Sequence, residues 1–429
     1  MKKFFLFAVT LLPVATLSAQ KTIAIKCGKL FDTRSGQVIN NQVILVKGNV
    51  VENIVDASGF KQKTDSVIDL SGYFVLPGLI DCHTHVLLQG DVTSEDYDVQ
   101  LLKESIPYRT LRASRSAKIA LESGFTTIRD LETEGAMYAD ADVKRAINNH
   151  VIPGPRMQVA TRSINSVGHY PISPRDYNWQ LDLPKGVQEI NGADEARRAV
   201  REQLAHGADW IKIYADRGYY RLADGSYRSR PNFTAEEINA IGDETIRSGK
   251  RLAAHAITRD GIIAAINAGA ATIEHGFGMD DECIQLMVKK EIYWCPTIYV
   301  CDYVAEGRAK AGSPINKYFM ETLPALFKKA MNAGIKIAYG TDIGGYSWDE
   351  PEGKDFEYMI RYGMTNMQAI QSATTVAAQL LDMEGKIGEL KAGCFADIIA
   401  VKQDPLKDIK ALENVQWVMK DGIVFKTAR

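Results

Sequence analysis

The sequence predicts an α/β fold: a closed (β/α)8 barrel inserted into a small β-sandwich. Residues 77–383 alternate short apolar, strand-like pieces with amphipathic helical runs, the rhythm of parallel strands joined by crossover helices. Residues 22–76 read instead as short alternating strands and turns, which is sandwich material. Residues 384–429 return to that texture. The expected organisation is a leader at 1–19, a composite β-sandwich from 22–76 plus 384–429, and a barrel over 77–383.

The first element is not part of the fold. "MKKFFLFAVTLLPVATLSAQ" places Lys2 and Lys3 before an apolar stretch that ends in small residues around Ser18 and Ala19. That is the layout of a secretory signal peptide, with cleavage expected after Ala19. The stretch is short and interrupted by Pro13, below the roughly 20 residues of a spanning helix. No later segment is long and apolar enough to span a membrane either. A periplasmic or secreted chain without membrane insertion is expected. "TIAIKCGKLFD", "GQVINNQVILVKGNVVENIV" and "KQKTDSVIDLSGYFVLPG" then supply the N-terminal sandwich strands.

Eight barrel pieces follow: "LIDCHTHV", "FTTIRDL", "RMQVAT", "WIKIYA", "RLAAHAI", "TIEHG", "IYWCPT" and "IKIAYGTDI". Between them lie amphipathic runs such as "DEARRAVREQLAHG" and "TAEEINAIGDETIRSG". The second opens with Thr234 and Glu237 in capping-box spacing,. Gly124, Gly207, Gly269 and Gly334 stand where helices give way to strands,. An open doubly wound sheet is the runner-up, but it would carry a Gly-rich phosphate turn after its first strand, and this chain has none. The helix "TNMQAIQSATTVAAQLL" leads back to the sandwich.

Composition excludes several classes of function. Apolar residues make up 46%, charged residues 24%, and the net charge is −2. No long basic or acidic run points to nucleic acid or an anionic membrane as partner. Six scattered cysteines do not form a disulfide framework or a zinc finger, although an exported chain could form one or two bridges,. Strand alternation is expected to turn Cys82 away from His83, as a packed thiol.

The chain has seven histidines. His83 and His85 are two residues apart at the end of the first barrel strand, so alternation puts both rings on one face. Neutral imidazole is the commonest metal-ligating side chain. His255 and His275 end the fifth and sixth strands. Lys212 lies in the apolar strand "DWIKIYA" between Ile211 and Ile213, which face the helices. It therefore points into the barrel, where an ammonium is costly unless paired or chemically changed. Asp342 ends the eighth strand in "YGTDIG". Each residue has a bland alternative: a polar strand end, a snorkelling lysine, a turn-capping aspartate. Their joint placement at the C-terminal mouth of one barrel, where barrel enzymes build their sites, favours a single functional constellation. His206, near a helix end, reads as structural or solvated.

This ordered set resembles the amidohydrolase superfamily in its two-metal form. "LPGLIDCHTHV", "HGADWIKIYA", "AAHA", "TIEHG" and "GTDIG" look most like the branch of metal-dependent Xaa-Pro and Xaa-Arg dipeptidases, carboxypeptidase-like enzymes and imidazolonepropionase-like proteins. The resemblance runs from about residue 22 to the end of the chain and implies roles. His83, His85 and Asp342 would bind a buried metal, and His255 and His275 a second. Lys212, as N6-carboxylysine, would bridge both. Zinc is the default for imidazole and carboxylate ligands, with manganese or iron as alternatives. A metal-bridging hydroxide would then attack an amide carbon, with Asp342 as general base and then general acid.

The substrate expected is a small molecule, a dipeptide or N-acyl amino acid. The loop after the third strand carries His169, Tyr170, Arg175 and Tyr177, and His169 is expected to touch the substrate carbonyl. Tyr214 shares the parity of Lys212. The next loop offers Arg217, Tyr219, Tyr220 and Arg221, where a guanidinium could hold a carboxylate bidentately. The runner-up activity is hydrolysis of a cyclic amide or lactam, as by imidazolonepropionase, a branch that typically lacks the strand-4 lysine. Deaminases of the superfamily it resembles usually place a Glu three residues after the strand-5 histidine, where this chain has Thr258. A non-catalytic envelope binding protein would not need every presumed ligand. No residue pattern decides whether the chain forms a homo-oligomer.

Overall fold

The computed structural model describes residues 21–169 and 177–427. The expected leader at 1–19, and Tyr170 and Arg175, lie outside the described residues. Strands Thr22–Asp32, Gln37–Lys47 and Val50–Asp56 form an antiparallel meander. Ser66–Pro77 joins it in parallel beside Thr22–Asp32. On the other edge of Ser66–Pro77 lies the C-terminal strand Ile398–Val401, antiparallel, with Ile398 opposite Pro77. Trp417–Lys420 and Ile423–Lys426 complete a seven-stranded sheet. The two ends of the chain thus share one sheet. It curls until the Val51 amide donates to the Cys394 carbonyl at 2.9 Å. Strict alternation builds its two faces: Ala24, Val43 and Leu45 pack on one, Ile25, Cys27, Ile44 and Val46 on the other,.

The barrel strands are Leu79–Thr84, Phe125–Asp130, Arg156–Val159, Trp210–Tyr214, Arg251–Thr258, Ala270–Gly278 and Tyr293–Cys295. Neighbours pair in parallel within two sheets. Between the third and fourth strands the Asp209 amide donates to the Val159 carbonyl at 2.7 Å. Residues 335–343 make the eighth stave with isolated bridges, Trp294 to Ile337 on one side and Thr84 to Ile343 on the other. The Cys82 amide donates to the Tyr339 carbonyl at 2.9 Å and closes the ring.

Helix ends follow the sequence signals. Thr234 and Glu237 form a reciprocal capping box on Ala235–Arg247. Gly124, Gly207, Gly269 and Gly334 all adopt the left-handed conformation that ends a helix,. His206 caps Ala193–Ala205 and stacks on Tyr138 at 3.6 Å between ring centroids.

Two expectations need correction. "TNMQAIQSATTVAAQLL" is two helices, Asn366–Ser372 and Thr375–Leu380. The break is at Thr374, with φ −134° and ψ −94°, where its hydroxyl bonds back to the Ile370 carbonyl. Cys82 is a packed thiol, but it faces inward with Ile80, Trp210, Ala253 and Cys295. The pairing register shifts between Asp81 and Thr84, which breaks the alternation and lets Cys82 and His83 both serve the interior,. All six cysteines are free and buried.

Candidate active site

The site sits where the strand ends are least regular. The Asp81 carboxylate accepts from the His83 amide at 2.9 Å and from the Thr341 hydroxyl at 2.6 Å. It ties the shifted first strand to the eighth stave. The Asp342 amide then donates to the His83 carbonyl at 2.7 Å, so His83 and Asp342 arrive together. Gly340 permits this approach: a Cβ there would lie 2.1 Å from the Cys295 sulfur and 3.0 Å from His83 Cβ. His275 and Asp342 hold left-handed φ values of 68° and 59°. Such backbone costs about 1–3 kcal/mol for a non-glycine residue and collects at functional sites.

The six expected ligand residues line one cavity. His83 Nε2 and His85 Nε2 are 3.3 Å apart, and Asp342 Oδ1 is 3.5 Å from the first and 3.1 Å from the second. Behind them, His83 Nδ1 faces Glu274 Oε2 at 2.9 Å and His85 Nδ1 faces the Glu132 carbonyl at 3.2 Å. Once a cation displaces the proton that Asp342 otherwise holds on His85, the two Nε2 lone pairs and Asp342 converge as three acceptors on one point. His275 centres its ring 5.1 Å from His83 and 4.6 Å from His255. Its Nδ1 is 2.7 Å from the Thr297 hydroxyl. His255 Nε2 is buried with no hydrogen-bond partner among the described residues.

The basic groups of the cluster shift in opposite directions. Burial would pull the His85 imidazole down, but the adjoining Asp342 carboxylate overrides it and pushes the group up to about 10. Asp342 is held well below its ordinary range despite its burial, because His83, His85 and His275 surround it. Burial and the Lys212 ammonium push His83 well below its usual value. His275 falls to about 4, mainly from burial. The Lys212 amine is also lowered by burial, against the pull of Glu274, Glu132 and Asp342. It makes no hydrogen bond or ion pair among the described residues.

Tyr214, Arg217 and Tyr219 reach the same cavity. The Tyr214 hydroxyl donates to Glu132 Oε2 at 2.6 Å, and its ring lies 4.6 Å from that of His255. The Arg217 guanidinium stacks over Tyr214 at 4.6 Å. His169 and Arg221 are exposed and outside the cavity lining. Arg221 donates to the Gly225 carbonyl of its own hairpin at 3.2 Å. Sequence reasoning missed Glu274, Arg129, Glu132 and Glu134. The first three are fully buried, and Glu134 lines the cavity with Tyr97 donating to it at 2.7 Å. The available signal was a set of carboxylates in apolar strand ends, "DLETEG" and "TIEHG",.

A model of the amidohydrolase family matches residues 74–424. The ochratoxinase of Aspergillus niger is 29% identical, covering 97% of this chain and 89% of its own. A crystal structure of a Xaa-Pro dipeptidase with bound methionine superposes with a TM-score of 0.84 at 34% identity, covering 94% of this chain and all of that one. A prolidase complexed with N-methylphosphonate-L-proline is 25% identical, with a TM-score of 0.82 and coverage of 95% and 100%. The match spans the sheet and the barrel together. The chain belongs to the amidohydrolase family and is a hydrolase of amide bonds.

Proposed function

We propose that this cavity hydrolyses the amide bond of a dipeptide or N-acyl amino acid with two divalent metal ions, zinc by default. The observation that carries the reading is the convergence of His83 Nε2, His85 Nε2 and Asp342 Oδ1 within 3.1–3.5 Å. Three acceptors so placed suit a cation. His83, His85 and Asp342 would hold one ion, His255 and His275 the other. Lys212 would stand between them as a carbamate. When bound, such a pair supplies Lewis acidity and lowers the pKa of water.

The chain's own residues do the rest. Burial eases the loss of the Lys212 proton, and the amine so released attacks CO2 through nitrogen and loses a second proton to give the carbamate anion. Asp342 takes a proton from the attacking water on a carboxylate oxygen and returns it to the departing nitrogen. Arg217, braced on Tyr214, would bind a substrate carboxylate. Phe277 and Phe319, 5.7 Å apart, give the cavity an apolar wall that excludes water,. The likeness to ochratoxinase and to a Xaa-Pro dipeptidase supports amide chemistry of this kind. The leader at 1–19 would make the mature enzyme periplasmic or secreted.

The test is amine release from dipeptides and N-acyl amino acids. Asp342→Asn should cut turnover by about 10²–10⁴-fold while the fold persists, the range expected for a lost general base. Unchanged turnover in that variant would remove Asp342 from the chemistry.

A further inference from the structure

We infer that Glu274, clamped by Arg129, is a positioning residue that fixes the tautomer of His83 and so aims its Nε2 lone pair at the metal cluster. The inference rests on the metal reading above. Glu274 lies in strand Ala270–Gly278 and is fully buried. Its Oε2 is 2.9 Å from His83 Nδ1, and its Oε1 is 2.9 Å from Arg129 Nη2. Arg129 is itself held: its Nε donates to the Cys82 carbonyl at 2.6 Å, and its guanidinium lies 4.5 Å over the Trp210 ring. The carboxylate cannot rotate away without abandoning one partner. A carboxylate only accepts, so His83 must carry its proton on Nδ1. His85 faces a neutral backbone carbonyl instead. An anion behind the ring raises ligand basicity as well as fixing orientation.

This arrangement makes an unusual substitution logic. Glu274→Gln leaves one acceptor where two donors wait. Arg129 has donors only, so the Gln oxygen turns to Arg129 and the Gln amide turns to His83 Nδ1. The His83 proton then moves to Nε2, and the lone pair is lost to the metal. Removing Arg129 as well frees the Gln oxygen to accept from Nδ1–H. It also removes a buried charge that would otherwise lack a counterion. The double variant should therefore bind metal better than Glu274→Gln alone, which a purely structural role does not predict.

The experiment has two readouts. Zinc affinity is measured on the metal-stripped protein by competition with a chromophoric chelator. The His83 tautomer is read from imidazole 15N shifts of the stripped wild type. Glu274→Gln should weaken zinc binding by about 10–100-fold, and Glu274→Gln with Arg129→Met should regain most of that loss. His83 should carry its proton on Nδ1. Wild-type zinc affinity in Glu274→Gln, a double variant no tighter than the single one, or a proton on Nε2 in the wild type would each overturn the inference. The tautomer measurement needs neither metal nor variant, so it decides the inference even if a variant fails to fold. Absence of zinc binding by the wild type would overturn the metal reading separately.

Discussion

Lys212 is the residue whose chemistry depends most on its surroundings. Its strand neighbours Ile211 and Ile213 are fully buried against the helices, and Lys212 itself is buried in the cavity. An amine so placed is shielded from bulk water and makes no hydrogen bond among the described residues. We expect Lys212→Ala to lose bound metal and at least about 100-fold in turnover, more than an outer-shell change costs. Short carboxylic acids should restore part of it as a surrogate bridge. Metal analysis and a rescue titration check this; full metal occupancy and normal turnover would rule out the bridge. The meeting of His83, His85, His255, His275 and Asp342 with Lys212 in one cavity was legible because the first five are polar at the ends of apolar strands and Lys212 is a charge inside one. Glu274 was not, since alternation puts adjacent Glu274 and His275 on opposite faces. The left-handed φ of His275 breaks that rule, and no residue type announces it.

At the scale of elements, the hairpin after the fourth strand supplies part of the cavity wall. Its strands, Asp216–Arg221 and Tyr227–Pro231, carry Arg217 and Tyr219. Asp216 fastens it to the barrel by accepting from the Ile257 and Thr258 amides at 2.9 Å each, just before helix Arg259–Asn267. Burial raises the Asp216 carboxyl to about 6, against the Ser229 hydroxyl and those amides. A raised folded pKa means the native state holds a proton the unfolded chain has released. This contribution to stability is therefore complete below about pH 4 and lost as pH rises to about 6. Over that window wild type should lose about 2–3 kcal/mol relative to Asp216→Asn. Denaturant unfolding at several pH values checks it, and parallel profiles for the two proteins would refute it. The sequence marked this hairpin only as a loop, because Arg- and Tyr-rich text carries no period-2 alternation.

On the scale of the whole molecule, the sheet built from both ends of the chain is fastened to the barrel by Arg156. This residue of the third barrel strand pairs with Asp397 at 2.6 Å and with Asp421 at 2.5 Å. Asp397 is almost fully buried, so removing its partner strands a charge. Arg156→Met should cost about 3 kcal/mol in equilibrium unfolding; a loss near zero would mean the pair is solvated. The return of the C-terminal strands to the sheet was legible from texture alone. The ion pair was not, because nothing local relates Arg156 to residues 241 and 265 positions away. In the proposed reaction this barrel cleaves amides through metal held at His83, His85, Lys212, His255, His275 and Asp342. The most direct measurement is amine release from a pooled library of dipeptides and N-acyl amino acids, before metal stripping, after it, and after zinc is returned. Release from a subset is expected, abolished by stripping and restored by zinc. Release that survives complete stripping, or none from the library with two zinc ions bound, would contradict it.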